Sequence, residues 1–339
     1  MTMPMTNADR KNVSFAQAKP LDTNAIPILD LGPDIRSGDL HHLAKGILHA
    51  ATNTGFFYIR NHGIPEDAII RAWAVAKGFF ALDGDEKATI AVNKHQRGWM
   101  ATGMSQMQGA KAHDLKEVFF WGREVAADDP DLAANRPLVA PNLWPTAVFP
   151  QLETGLKPYY QAVCGVGERL MAAIAVSLGV APDIFKKAYQ RPLARGQLVY
   201  YPPSTHADEA EHRFGVAPHT DFGVLTLLLQ DNSGGLQVRT RNGDWVEAPP
   251  IEGTLVCNIG DLLQRWSNDR FVSTVHRVIN RSGRERFSIP VFFDPHTDTI
   301  IDPVDLGVSQ AESRHAPVRA GEHIMGRNKK SFAQFKDDQ

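Results

Sequence analysis

A chain of 339 residues that is 43% hydrophobic and 22% charged has ordinary globular composition, enough for one large β-rich domain or two smaller ones. Its 36 Lys+Arg against 38 Asp+Glu leave a formal charge of −2, which excludes the basic footprint expected of a nucleic-acid or anionic-membrane binder. Two cysteines in apolar surroundings, an N-terminus without an apolar signal core and no run of transmembrane length predict buried thiols, no membrane contact and a cytoplasmic protein.

Residues 1–24 read as a polar N-terminal segment. Ile26 to Leu31 predicts a short edge strand, with Pro27 near its start. From Asp39 to Asn53, Leu40, Leu43, Ile47 and Ala51 recur at three and four and predict an amphipathic helix that stops near Gly55. Phe56 to Ile59 then reads as a strand, with a turn at Asn61-His62-Gly63 and a structural role for His62. Pro65 sits just inside a second predicted helix, which should bury Ile69, Trp73, Ala76 and Phe80. After a looser stretch, Asp114 to Phe120 predicts a strand, and residues 123–150 a surface connection. Tyr159, Val163, Val166, Leu170, Ile174 and Leu178 hold helical spacing up to Gly179, which predicts a long helix backing a sheet.

From Gly196 onward short strands alternate with turns. Leu198–Tyr201, Val224–Leu229, Leu236–Thr240, Trp245–Ala248, Leu255–Ile259, Val275–Asn280 and Phe287–Phe293 form the expected set, with Asn242-Gly243 as a hairpin turn. About eight such strands predict a mainly β fold with flanking helices: a double-stranded β-helix, or jelly roll, with a mouth for a ligand. The expected organisation is an N-terminal region over 25–150, a jelly-roll core with backing helix over 151–310 and a C-terminal segment over 311–339, together one compact unit.

Three His-x-Asp tripeptides occur, at His206, His219 and His296. The first opens the charged run HADEAEHR and reads as a solvated loop; the last follows the Asp294-Pro295 turn signal, with no Arg-x-Ser beyond it. His219-Thr220-Asp221 instead leads into an apolar run of buried-strand length. Residues i and i+2 of a strand share a face, so His219 and Asp221 should project together and, with the distant His276, form a 2-His-1-carboxylate set. That set leaves positions open and is the arrangement of non-haem Fe(II) oxygenases. Ten residues on, the same spacing puts Arg286 and Ser288 on one face, suited to clamping a carboxylate.

Together these motifs make the chain resemble the isopenicillin N synthase-like branch of the iron(II)/2-oxoglutarate-dependent dioxygenases over nearly its whole length. Those that carry the resemblance, in order, are Gly55 to Ile64, Arg97-Gly98-Trp99, Asp114 to Glu117, Tyr200 to Pro203, Pro218 to Asp221, Asn258 to Asp261, Ser273 to Val278 and Arg286 to Ser288. The resemblance implies Fe(II) on His219, Asp221 and His276, and 2-oxoglutarate held by Arg286, Ser288 and Tyr201. It also implies O₂-driven oxidation of a C–H bond in a small organic substrate, with hydroxylation as the default outcome. Plant members often carry Asn where this chain has Val199, which removes a polar group near the cosubstrate and leaves a rotated binding mode open. A cosubstrate-independent oxidase of the same fold and a non-catalytic iron/2-oxoglutarate-binding protein are the alternatives. For the substrate wall the resemblance points to residues 100–111, where Met104, Met107 and Lys111 are the candidates. The methionines read equally as core filler and Lys111 as an exposed lysine. The oligomeric state is not legible.

Overall fold

The structure, a computed structural model, describes residues 17–20, 26–332 and 335; the rest of the polar segment 1–24 lies outside the described residues. The N-terminal half runs β1 (Ile28–Asp30), α1 (Gly32–Ser37), α2 (His41–Asn53), β2 (Phe56–Arg60), α3 (Glu66–Phe80) and α4 (Gly84–Ala88). It continues through β3 (Gly98–Met100), β4 (Glu117–Gly122), α5 (Pro130–Ala133) and the long α6 (Gln151–Leu178). Next come β5 (Arg195–Tyr201), α7 (His206–Ala210), β6 (Val216–His219), β7 (Leu225–Gln230), β8 (Leu236–Arg239) and β9 (Trp245–Glu247). The chain closes with β10 (Thr254–Ile259), α8 (Asp261–Trp266), β11 (His276–Val278), β12 (Arg286–Phe293), β13 (Ile300–Ile301), β14 (Val318–Arg319) and α9 (Ala320–Ser331).

Eight strands form the major sheet in the order β1-β2-β10-β7-β12-β5-β4-β3, and four form the minor sheet in the order β6-β11-β8-β9. The jelly roll expected from the strand pattern is this pair. Strands from the N-terminal region extend both ends of the major sheet, so the two halves share one hydrogen-bonded layer. Period-two alternation gives the central strands two distinct faces. On β12, Arg286, Ser288, Pro290 and Phe292 line the cavity between the sheets. The intervening Phe287, Ile289, Val291 and Phe293 are buried in the core.

Helix α6 covers the outer face of the major sheet. A Cβ added to Gly167 would stand 2.7 Å from the Phe293 ring, so glycine lets helix and sheet approach closely there. Gly179 ends α6 in the left-handed conformation (φ 82°), as its place after the apolar stripe predicted. By length and composition α6 could cross a bilayer, contrary to the expectation of no run of transmembrane length, yet 56% of its most apolar window is buried inside the protein. Both cysteines are free, Cys257 buried and Cys164 half-buried.

Several local expectations are corrected. Helix α3 begins after Pro65, which caps it, and it buries Ala68, Ala72, Val75, Ala76 and Phe79. Ile69, Trp73 and Phe80 are only half-buried at its flank. Val75 of this face packs over Gly155 of α6, where an added Cβ would stand 2.5 Å from its side chain, so the close approach is made by a glycine on α6. Strand β4 starts at Glu117, three residues later than predicted, since Asp114 is held by Ser105 (2.7 Å) and by the Ala217 amide (3.0 Å). The connection 123–150 is not confined to the surface: Leu138, Val139 and Ala140 are buried, and Asp131 is buried under Arg191 at 2.9 Å. The charged run at His206 forms the short helix α7, because Thr205 and Asp208 cap each other reciprocally.

Candidate metal centre

His219 ends β6 and His276 opens β11, and the two residues stand directly opposite in the ladder. Their rings are 4.3 Å apart, centre to centre. Asp221 lies beyond the end of β6, so strand periodicity is not what presents it. Its position comes from a loop sewn to the start of α8. Gly260 N donates to Val224 O (3.0 Å), Asp261 N to Asp221 O (2.8 Å) and Leu262 N to Gly223 O (2.9 Å). This approach needs glycine at 260, where a Cβ would sit 2.2 Å from the Gly223 carbonyl oxygen. Gly260→Ala is therefore expected to cost about 1–3 kcal/mol of stability by overpacking. It should also weaken iron binding, because the clash bears on the loop that carries Asp221. Urea denaturation and iron content after anaerobic loading measure the two effects.

The carboxylate is oriented by two donors. Thr226 Oγ1 (2.5 Å) and Asn258 Nδ2 (2.6 Å) both donate to Asp221 Oδ2. That leaves Oδ1 at 3.9 Å from His219 Nε2 and 3.7 Å from His276 Nε2. One ligand atom from each of the three residues lies within 4.8 Å of the others, a spacing that one cation can bridge. Each histidine is also turned correctly. Nδ1 of His219 faces Ala217 O at 2.8 Å, and Nδ1 of His276 faces Thr274 O at 3.1 Å. A ring nitrogen against a carbonyl must donate, so the lone pair is on Nε2. Burial, reinforced by His276, pushes the His219 imidazole down to about 3, which keeps it neutral. Burial alone would raise the Asp221 carboxyl, but the two histidines and its two donors hold it below the ordinary carboxylate value. Neutral imidazoles and an ionised carboxylate are what a divalent metal requires.

At the other end of the same cavity, Arg286 is 1% exposed. Its Nε donates to Gly234 O (2.7 Å) and its guanidinium lies 4.6 Å over the Tyr201 ring. Nη1 is buried without a partner, and among the described residues no carboxylate pairs with Arg286. A buried cation of this kind is costly unless an anion joins it. Ser288 and Tyr201 line the cavity beside it, as does Val199, the direct ladder partner of Ser288.

Of the three substrate-side candidates, Met107 lines this cavity. Met104 does not; it is half-buried against the core. Lys111 is exposed in a separate depression beside Glu211 and Arg213 and is likewise not at the cavity. The lysine that reaches the cavity is Lys116, buried and 3.3 Å from Asp114. Sequence reasoning also missed Gln96, Arg195, Gln197 and Asn328. Arg195 and Gln197 had a usable signal, being in step with Val199 and Tyr201 on one strand. His206 is exposed on α7, and His296 stands 3.0 Å from Asp131, so neither joins the cluster.

The chain is similar to known proteins along most of its length. Residues 196–295 match the family model of the 2OG-Fe(II) oxygenase superfamily, and residues 26–147 that of the non-haem dioxygenase in morphine synthesis N-terminal region. A probable iron/ascorbate oxidoreductase of Dictyostelium discoideum is 38% identical over 80% of both chains. A homoarginine-6-hydroxylase of Glycine max is 33% identical, over 90% of this chain and 97% of that one. Among solved structures, a Neurospora crassa protein in complex with alpha-KG and thymine superposes with a TM-score of 0.78. It is 28% identical, over 91% of this chain and 98% of that one.

Proposed function

The chain belongs to the 2OG-Fe(II) oxygenase superfamily, and on that premise we propose that His219, Asp221 and His276 hold its Fe(II) while Arg286, Ser288 and Tyr201 hold 2-oxoglutarate. The protein is an Fe(II)- and 2-oxoglutarate-dependent oxygenase acting on a small molecule. Bound iron supplies the redox chemistry by which O₂ cleaves 2-oxoglutarate to succinate and CO₂ and oxidises a substrate C–H bond. Hydroxylation is the outcome proposed for this chain.

The protein's own part is geometric and electrostatic. The β6–β11 pair presents two imidazoles, each with Nδ1 on a backbone carbonyl, and Thr226 and Asn258 aim one carboxylate oxygen at the same point. The observation that carries the cosubstrate assignment is the buried Arg286 guanidinium, which lacks a counter-anion among the described residues and lies in the same cavity as the metal cluster. A dicarboxylate reaching from Arg286 to the metal would neutralise it. Val199 beside Ser288 offers this anion no hydrogen bond, so Ser288 and Arg286 carry the distal carboxylate. The near-zero net charge fits a small-molecule enzyme with no nucleic-acid or membrane partner.

The test is anaerobic titration of the Fe(II)-loaded protein with 2-oxoglutarate, followed by O₂ and measurement of succinate. Saturable binding at one 2-oxoglutarate per iron, with succinate formed only when both are present, is expected. Iron-loaded protein that neither binds 2-oxoglutarate nor releases succinate would overturn the assignment.

A further inference from the structure

Beyond the metal and the clamp, the cavity has a second polar group with no assigned task. Asn328 lines it from α9, is 1% exposed, and its Nδ2 has no hydrogen-bond partner. Whichever way the carboxamide is turned, it brings a donor that a buried site must satisfy.

Helix α9 is tied down where this matters. Arg327, the preceding residue, donates to Thr220 Oγ1 (3.3 Å), pairs with Asp261 (3.4 Å) and lies 4.7 Å over the Phe222 ring. Thr220 stands between the ligands His219 and Asp221. At the helix C-terminus the Gln106 amide donates to Ser331 O (2.9 Å). The helix that carries the carboxamide is thereby fixed against the segment that holds Thr220 and Phe222.

A cation across the same cavity is equally fixed. Arg195 donates from Nη1 to Gln96 (2.6 Å) and from Nη2 to the fully buried Asp294 (2.9 Å), with its guanidinium 5.8 Å from the Phe292 ring. Lys116 adds a third donor group to the lining. Four of the apolar lining residues are aromatic: Phe56, Phe222, Phe292 and Phe332. Asp221 is the one carboxylate among the described lining residues, and it belongs to the metal cluster.

Resting on the Fe(II)/2-oxoglutarate reading above, we propose that Asn328 and Arg195 form the substrate-recognition edge, and that the substrate is a planar ring bearing a carbonyl or carboxylate oxygen. Asn328 Nδ2 and Arg195 Nε are buried without a partner, so the ligand must bring the acceptors. Flat aromatic side chains favour a flat ligand. A guanidinium or ammonium substrate finds no free carboxylate among the described lining residues.

The test uses the full chain, loaded anaerobically with Fe(II) and saturated with 2-oxoglutarate, and three probes: benzoate, thymine and L-arginine. Benzoate or thymine, but not L-arginine, is expected to bind and perturb the absorption of the iron–2-oxoglutarate complex. Asn328→Leu should weaken that binding tenfold or more, with 2-oxoglutarate affinity unchanged within about twofold. Asn328→Asp keeps the size and packing but adds charge, so it should weaken benzoate more than thymine. Tightest binding of L-arginine, binding of none of the probes, or equal probe affinity in wild type and either variant overturns the proposal. Loss of the 2-oxoglutarate complex in the wild type would instead sink the cosubstrate assignment.

Discussion

Replacing His219, Asp221 or His276 by alanine is expected to take iron from about one per chain to near zero and to abolish 2-oxoglutarate turnover with it. In the proposed set three protein ligands hold the ion, and their ligand atoms sit within 4.8 Å of one another, so removing one would leave a two-point site. Even groups that only orient a ligand are worth about 10–100-fold in metal affinity, and losing the ligand itself should exceed that. Asp221→Ala carries an added cost, since Thr226 and Asn258 lose their acceptor. Unsatisfied buried donors cost about 1–3 kcal/mol. Asp221→Asn is therefore the cleaner variant, preserving shape and an acceptor while losing the charge. Iron content after anaerobic loading, with circular dichroism as the check on folding, reads the result. His206→Ala should leave iron unchanged. His296→Ala should also keep iron, with some loss of stability because its neighbour Asp131 is buried. Iron loss in His206→Ala with retained folding would refute the ligand set.

The second large effect is expected at the clamp. In Arg286→Lys the charge remains, but the bidentate fork, the Nε bond to Gly234 O and the stacking on Tyr201 are all lost. An ammonium on a flexible stem cannot replace three fixed contacts. The affinity for 2-oxoglutarate should fall by tenfold or more, equivalent to about 1.4 kcal/mol or more for a charge-assisted pair. Iron content should stay the same, because Arg286 contacts none of the three ligands in its hydrogen bonds. Anaerobic titration of the iron–2-oxoglutarate absorption measures it, and an unchanged titration would place the cosubstrate carboxylate elsewhere.

What the amino-acid sequence by itself determined was whatever depends on a few consecutive residues. Arg286 and Ser288 share a face with Pro290 and Phe292 because strand periodicity is a property of the backbone, and they line one cavity as that spacing requires. The stripe from Tyr159 to Leu178 and the stop at Gly179 likewise needed only helical repeat and a residue at ease with positive φ. His219 and His276 were picked out correctly as a pair brought into one cluster, but Asp221 joins them for a different reason than expected. It stands past the strand end, on a loop held by backbone bonds to 260–262 that the tripeptide does not encode. Long-range contact decided the rest. The buried face of α3 is shifted by one residue, with Val75 packed over Gly155 of α6, a contact between helices far apart in the chain. Lys116 and not Lys111 reaches the cavity because Asp114 is tied to Ser105 and Ala217, which turns the chain before β4. Asn328 lies far along the chain from Asp221, on a polar helix with no motif around it. Only the docking of α9 through Arg327 onto Thr220 and Asp261 brings its carboxamide into the site. Such encounters depend on how finished elements pack, and no local repeat in the chain records them.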